Sequence, residues 1–377
     1  MFYFDHNATT PLLPQAKAAW LEAAEQHWLN PSSAYRAAAA AHVRLEEARE
    51  RLAGMLEVDP KRVVFNSGAT EGNNAVFAGL ARSLGTDARM AVGATEHPSG
   101  VEAARFYFQR RIDWLQPDHR GVIEFDRSFL EGVAAISLMA ANNETGVLHP
   151  WQDWAAACRE RGLPMHCDAS QWIGKMPLEG LGTCDYVTGC AHKFGGPKGV
   201  GFLLVPEVFA AGLLGGAQES GRRAGTEDLA GIAAMLAALE WAESRRANCS
   251  PREKEAFLTG LQAALPGVEV LGAGAATLWN TLQIVMPEFQ SPRWIRALEK
   301  EGFLVSAGSA CATGKGGPSH VLAAMGIDAQ KADRVLRISA GWGSSAEDWQ
   351  ALLGALLKCH RGLRQEAASS DSQVISI

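Results

Sequence analysis

Cys190-Ala191-His192-Lys193-Phe194-Gly195-Gly196-Pro197-Lys198-Gly199 is the stretch from which the rest of this chain is read. It follows the short run 186–189 and dissolves into Gly and Pro, so Lys193 stands just beyond the end of a strand. Upstream, Asp168-Ala169-Ser170-Gln171 ends another strand-like run. Working outward, residues 61–205 alternate short apolar or β-branched runs with longer helical stretches. Residues 62–65 precede a helix from Glu71, 90–93 a helix from Ser99, and 134–139 a helix opened by Pro150. Strands alternating with helices predict an α/β fold, with a mostly parallel central sheet and helices on both faces. Ligands of such sheets bind beyond the carboxyl ends of the strands. The candidate residues all follow strand ends: 67–71, Thr95-Glu96-His97, Asn142-Asn143-Glu144, 168–171 and His192-Lys193.

An amphipathic helix over 227–246 carries Leu229, Ile232, Ala233, Leu236 and Leu239, and runs into Ala247-Asn248-Cys249-Ser250-Pro251, a polar break that reads as a domain boundary. The expected organisation is a large domain over 13–246, a smaller α+β domain made of 1–12 with 247–365, and a polar tail over 366–377. Within the small domain the pattern predicts helices over 251–265, 292–301 and 321–325, and strands over 268–271, 281–285, 304–306 and 334–339. A last helix is opened by Ser344-Ser345-Ala346-Glu347, a capping-box spacing, with Trp349, Leu352, Leu353, Leu356 and Leu357 on one face.

The chain has 377 residues, is 47% hydrophobic and carries a formal charge of −6, with acids and bases interspersed. That supports a large core and gives no basic stripe for nucleic acid or an anionic membrane. No stretch approaches the roughly 18 apolar residues of a spanning helix, and no basic, cleavable leader opens the sequence, so a cytoplasmic protein is expected. Seven cysteines without paired metal spacing fit reduced thiols and no metal site.

Ser67-Gly68-Ala69-Thr70-Glu71-Gly72 opens a helix after a strand, which suits either an anion site or an ordinary Ser/Thr cap. Asp168 taken singly is equally well an N-cap, and Lys193 an exposed loop lysine. Together, an anion loop, a carboxylate and a lysine on strand ends of one sheet are what pyridoxal 5'-phosphate requires. The lysine forms a Schiff base with the cofactor aldehyde, and the carboxylate keeps the pyridine nitrogen protonated. His97, before Pro98, has a turn role or lies on the cofactor ring and handles protons. Cys311 sits in Ser306-Ala307-Gly308-Ser309-Ala310-Cys311-Ala312-Thr313-Gly314-Lys315, where a core role is out of place and a mobile nucleophile is in place. Arg337 interrupts an apolar strand, as an ion-pair partner or as a fork for a substrate carboxylate.

In combination these motifs resemble the cysteine desulfurases, in the class V aminotransferase group of fold-type I pyridoxal phosphate enzymes. The likeness runs from Asp5-His6-Asn7-Ala8-Thr9-Thr10-Pro11 and Asn30-Pro31-Ser32-Ser33 to Arg223-Ala224-Gly225-Thr226, the Cys311 loop and Pro318-Ser319-His320-Val321-Leu322. The Ser-Gly-Ser-Ala-Cys-like loop is similar to the subgroup with a long mobile cysteine loop. The resemblance implies conversion of L-cysteine to L-alanine, with Lys193 moving the Cα proton and Cys311 carrying sulfur as a persulfide to an acceptor protein, for iron–sulfur cluster assembly or other sulfur transfer. It assigns the phosphate to Ala69, Thr70, Cys190 and His192, and the ring to His97, Asn143, Asp168 and Gln171. Substrate contacts fall to Arg337, Asn143 and Asn30. It also implies a homodimer, with Thr226 reaching across to the partner's phosphate.

Three positions depart from the family pattern. Cys190 and Ala191 stand where serine and glycine are usual, and Tyr35 where histidine is common. A thiol is a weak donor, so the phosphate has one strong contact fewer. A selenocysteine lyase or aminotransferase in which Cys311 is incidental, or a non-catalytic assembly subunit, is the competing reading.

Overall fold

The computed structural model describes residues 1–210, 212–308 and 319–374, the side chains of 370–374 excepted. Its centre is a seven-stranded sheet in the order β2-β8-β7-β6-β5-β3-β4. The strands are β2 (Val63–Asn66), β3 (Met90–Gly93), β4 (Ile112–Leu115), β5 (Ala135–Ser137), β6 (Met165–Asp168), β7 (Tyr186–Cys190) and β8 (Gly201–Leu204). Pairs from β7 through β4 are parallel, while β8 runs antiparallel to both β7 and β2. The fold is α/β with a mostly parallel sheet, as the alternation predicts. The antiparallel insertion of β8 is not visible in that pattern, because an apolar run carries no direction. Most of these strands are buried along their whole length, as expected for a sheet covered on both faces.

Helices α3 (Ala69–Ser83), α4 (Pro98–Phe108) and α5 (Trp151–Arg161) follow β2, β3 and β5, each beginning within a few residues of the expected start. Two helices of the region between Pro11 and Lys61, α1 (Pro14–Gln26) and α2 (Arg36–Met55), pack with α6 (Leu229–Arg246) against one face of the sheet. Their stripe of Ala16, Ala41, Leu45, Ala48 and Leu52 joins Trp151, Trp154, Ile173, Phe194 and Phe202 in the largest apolar cluster. On the other face, Val76, Phe77 and Leu80 of α3 meet Ala103, Ala104 and Phe108 of α4 over β2, β3 and β8.

A second core gathers Phe4 with residues from 257 to 363, including Trp294 and Trp349. It is built on a three-stranded sheet, β12 (Val335–Ser339), β10 (Thr281–Val285) and β9 (Glu269–Leu271), all antiparallel. Beside it, β1 (Phe2–Tyr3) runs parallel to β11 (Phe303–Leu304), which ties the N-terminus to this unit. Helices α7 (Arg252–Ala264), α8 (Ser291–Lys300) and α11 (Ala346–Val374) cover it, with the short α9 (His320–Ala324) and α10 (Ala329–Ala332) between. Two expectations are corrected here. The helix over 346–374 runs through the segment read as a polar tail from 366, because Gln-Glu-Ala-Ala at 365–368 are good helix formers without Gly or Pro. Its capping box is one residue later than expected: Asp348 N donates to Ser345 Oγ at 3.2 Å, and Ser345 N to Asp348 Oδ2 at 2.9 Å.

Candidate active site

Beyond the carboxyl ends of β2, β3, β5, β6 and β7 lies a cavity of about 460 Å³. Its wall contains Ala69, Thr70, His97, Asn143, Asp168, Gln171, Cys190, His192, Lys193 and Arg337, all expected from sequence. Asn30 is elsewhere: it is exposed, and its Oδ1 accepts from Ser32 N at 2.9 Å in a surface turn. Thr226 is also exposed and outside this wall. Cys311 lies outside the described residues.

The lysine loop is a compact turn. After β7, Gly196 N reaches back to Ala191 O at 2.9 Å, and a Cβ at Gly196 would come within 2.7 Å of Ala191 Cβ. Residues 7–10 strap this turn down. Thr10 N and Oγ1 both donate to His192 O at 2.8 Å, and Gly195 N donates to Thr10 Oγ1 at 2.6 Å. Lys193 Nζ rests on the strap, donating to Asn7 O at 2.6 Å and Ala8 O at 2.8 Å. Burial lowers the Lys193 pKa, Arg337 lowers it further, and Cys190 and Asp168 work the other way. A lysine so placed gives up its proton more readily than a surface lysine, which is what a nucleophilic amine needs.

Asp168 ends β6 and is 4% exposed. Its Oδ2 accepts from Asn73 Nδ2 at 2.8 Å; its Oδ1 accepts from Ser170 N at 2.9 Å and Ser170 Oγ at 2.5 Å. Next to it Glu96 is fully buried and its pKa is pushed far up by burial and by the Asp168 charge. Burial thus favours the neutral form of Glu96, while three donors from Asn73 and Ser170 converge on the Asp168 carboxylate.

The anion loop starts α3 without a side-chain cap, and Gly68 holds φ +136°, a conformation that requires glycine. Ser67 is committed elsewhere: its N and Oγ donate to Glu71 Oε2 at 3.0 and 2.5 Å. Arg223 Nε donates to Glu71 Oε1 at 2.9 Å, joining the 223–226 segment to this loop. Burial opposes the Glu71 charge, but Arg223 and Ser67 outweigh it and hold its pKa below the usual carboxylate range. Cys190, 2% exposed, stands within reach of Ser170 and of Ala69 N, with its thiol pKa raised by burial. His192 Nδ1 lies 3.2 Å from Thr9 Oγ1, and burial with Lys193 and Lys198 brings its pKa to about 4.

Arg337 is 1% exposed and realises the ion-pair reading: Nη2 donates to Asp5 Oδ1 at 2.6 Å and Nη1 to Asn143 O at 3.0 Å. Its Nε has no partner among the described residues, and the side chain still faces the cavity. Asn7 is a hub that sequence reasoning did not single out as a site residue. Its backbone O accepts from Gln171 Nε2 at 3.0 Å as well as from Lys193, its Oδ1 accepts from Lys175 Nζ at 2.9 Å, and its Nδ2 donates to Thr281 Oγ1 at 2.9 Å. Lys175, 2% exposed, was missed as well; its one sequence signal is its position one helical turn after Gln171. Burial, with Lys193 and Arg337 nearby, drives its pKa far below the usual lysine value.

This wall fits pyridoxal phosphate: a helix start that attracts an anion, a buried carboxylate, a lysine amine and unfilled space between them. Comparison with known proteins gives the same answer. A cysteine desulfurase of Enterobacter agglomerans is 34% identical over 350 residues, covering 89% of this chain and 87% of the relative. A solved NifS-like protein superposes with a TM-score of 0.85 at 28% identity, over 95% of this chain and 99% of its own. SspA, solved in complex with cysteine, gives 0.78 at 26%, over 90% and 98%. The family model for class-V aminotransferases matches residues 2–352, and the chain belongs to that family.

Proposed function

We propose that this chain is a pyridoxal phosphate-dependent cysteine desulfurase that converts L-cysteine to L-alanine and keeps the sulfur as a persulfide on Cys311. The observation that carries this reading is Lys193 and Asp168 facing one open cavity beside the uncapped start of α3, in a chain whose relatives are cysteine desulfurases. Ala69, Thr70 and His192 would hold the phosphate, with Cys190 beside them. Asp168 would meet the ring nitrogen, Asn143 and Gln171 the ring hydroxyl, and His97 the ring face. When bound, the cofactor supplies an electron sink for a carbanion at the substrate Cα.

The chain's own groups supply the rest. Arg337, fixed by Asp5 in the cavity wall, would offer its guanidinium to the substrate carboxylate. Lys193, released from the Asn7 and Ala8 carbonyls, takes the Cα proton and holds it for return. Cys311 forms the S–S bond as the substrate C–S bond breaks; thiol plus cysteine gives persulfide plus alanine, with no external oxidant or reductant.

The working unit in this proposal is a homodimer, with the exposed Thr226 supplied to the partner's phosphate site, and a sulfur-acceptor protein takes the persulfide for cluster assembly or another route. Among the described residues no helix is long and apolar enough to cross a membrane, and the proposed cytoplasmic setting is supported by the unpaired thiols of the six described cysteines.

The test is the visible spectrum of the cofactor-loaded protein before and after L-cysteine, with alanine and sulfide assayed together. Cys311→Ala should keep the colour and lose turnover by about a hundredfold or more. Retained turnover in that variant would remove the persulfide step. Faster product release from L-selenocysteine, or transfer to a keto acid, would favour the neighbouring activities.

A further inference from the structure

We propose that Asn73 and Ser99, neither of which lines the cavity, are positioning residues: they link Asp168 to His97 and set His97 as a neutral imidazole whose only N–H, on Nε2, is offered to the cavity. The inference rests on that cavity being the active site described above. The polarity of the link follows from what each atom can do. Ser99 N lies 3.2 Å from His97 Nδ1 and, as an amide, can only donate, so Nδ1 carries no proton. Ser99 Oγ, 2.8 Å from the same Nδ1, must then donate as well. Having spent its proton, Ser99 Oγ accepts from Asn73 Nδ2 at 2.9 Å, and the second Nδ2 hydrogen goes to Asp168 Oδ2 at 2.8 Å.

The Asn73 amide cannot be turned over, because its oxygen would then face the carboxylate. The chosen orientation leaves Asn73 Oδ1 buried with no partner among the described residues, in a side chain that is 0% exposed. An apolar residue at 73 would avoid that penalty, so the amide is retained for its two donors rather than for packing. Donors therefore run outward from Asn73 in both directions, to the carboxylate on one side and through Ser99 to the imidazole on the other.

The consequence for His97 is specific. A proton on Nδ1 would meet the Ser99 N–H head-on, so the imidazolium is excluded by geometry. The titratable groups around the ring are Asp168, Lys193 and His320, and burial heads the causes that lower its pKa. His320 is turned away, with Nε2 2.8 Å from Glu96 O. His97 Nε2 makes no hydrogen bond among the described residues, so its N–H is free for whatever occupies the cavity. The site thus divides its work between an amine that accepts protons, Lys193, and a neutral ring that donates a hydrogen bond.

The experiment is long-range 1H–15N correlation on histidine-labelled protein, with and without pyridoxal phosphate, assigned by loss of the His97 signals in His97→Gln. The wild type should show His97 protonated on Nε2 in both forms. Ser99→Ala and Asn73→Ala should move its ring-nitrogen shifts, and lower kcat about tenfold with KM changed less than about twofold, as a misplaced group does. Ser99→Thr should restore both the shifts and kcat. A wild-type His97 protonated on Nδ1, or a Ser99→Ala protein with unchanged shifts and unchanged kcat, overturns the proposal. Absence of desulfurase turnover in the wild type would instead sink the functional reading, and the tautomer measurement on cofactor-free protein would still judge the relay.

Discussion

The seven-stranded sheet offers Lys193 to the cavity from a turn beyond β7, whereas the three-stranded sheet offers Arg337 from the middle of β12. Among the described residues the Lys193 side chain hydrogen-bonds to two backbone carbonyls alone. Arg337 is held along its backbone on both sides, paired to Gln283 of β10 and bonded to Ser306 through N (2.7 Å) and O (3.1 Å), and its guanidinium is clamped by Asp5 and Asn143. In the proposed mechanism, the group that must leave its seat in every cycle sits on a loop with replaceable partners, and the one that must define a direction sits inside a ladder. On that proposal the large sheet supplies the moving group and the small sheet the fixed reference.

The contrast breaks most clearly at the lysine. Lys193→Ala should lower turnover at least about a thousandfold, since both the covalent anchor and the base disappear. Its thermal midpoint should change little, because the lost partners are backbone carbonyls already near the cavity. Arg337→Ala should do the reverse in proportion. It leaves Asp5 without its cation and should cost about 2 kcal/mol of stability, while KM for L-cysteine rises about tenfold or more. Equal stability losses in the two variants would erase the distinction between the two positions.

Acid sharpens it further. Burial brings the pKa of His149 and of His166 from 6.5 to about 4, against the opposing charges of Asp118 and Asp168. Both lie against the seven-stranded sheet: His166 on β6 between Ser137 and Thr188, and His149 accepting from Ile123 N. A folded-state pKa below the unfolded value means that the stabilisation is full above pH 6.5 and disappears as pH falls through 4. Between pH 7.5 and 5 the unfolding free energy should drop by ~2 kcal/mol per histidine. Hydrogen exchange at pH 5 should speed up in the seven-stranded sheet before the three-stranded one, and His166→Gln should flatten the dependence. The smallest effect belongs to Cys190→Ser. Replacing a weak thiol donor with a hydroxyl should tighten pyridoxal phosphate binding about three- to tenfold in a fluorescence titration.

Sequence reading located cavity residues where they follow strand ends. Lys193, Asp168, His97 and Thr70 each stand within a few residues of a strand whose apolar run is plain, and one parallel sheet brings such ends together. It did less well where the partner is remote or the signal is compositional. Asp5 meets Arg337 across 332 positions, and Asn7 serves Lys193 across 186, separations with no local trace. Helix α2 begins with a run of alanines that has high propensity but little amphipathic contrast, and β4 is only half-buried at an edge of the sheet. Asn73 sits on a helix beside apolar Val76 and Phe77, where nothing distinguishes a structural amide from a working one. Asn30, which the resemblance assigns to the substrate, lies instead exposed in a surface turn outside the cavity wall.

The Asn7 strap has a consequence for how the enzyme is made. Its amide N is bonded to Ser339 Oγ at 3.0 Å, and the neighbouring Asp5 to Arg337, so residues 5 and 7 are each seated by a residue made 332 positions later. The carbonyls on which the Lys193 amine rests take up their position only once translation has passed residue 339. Vitamin capture is thereby deferred until residue 339 has been made, and fragments that stop short of it would carry the lysine without its seat.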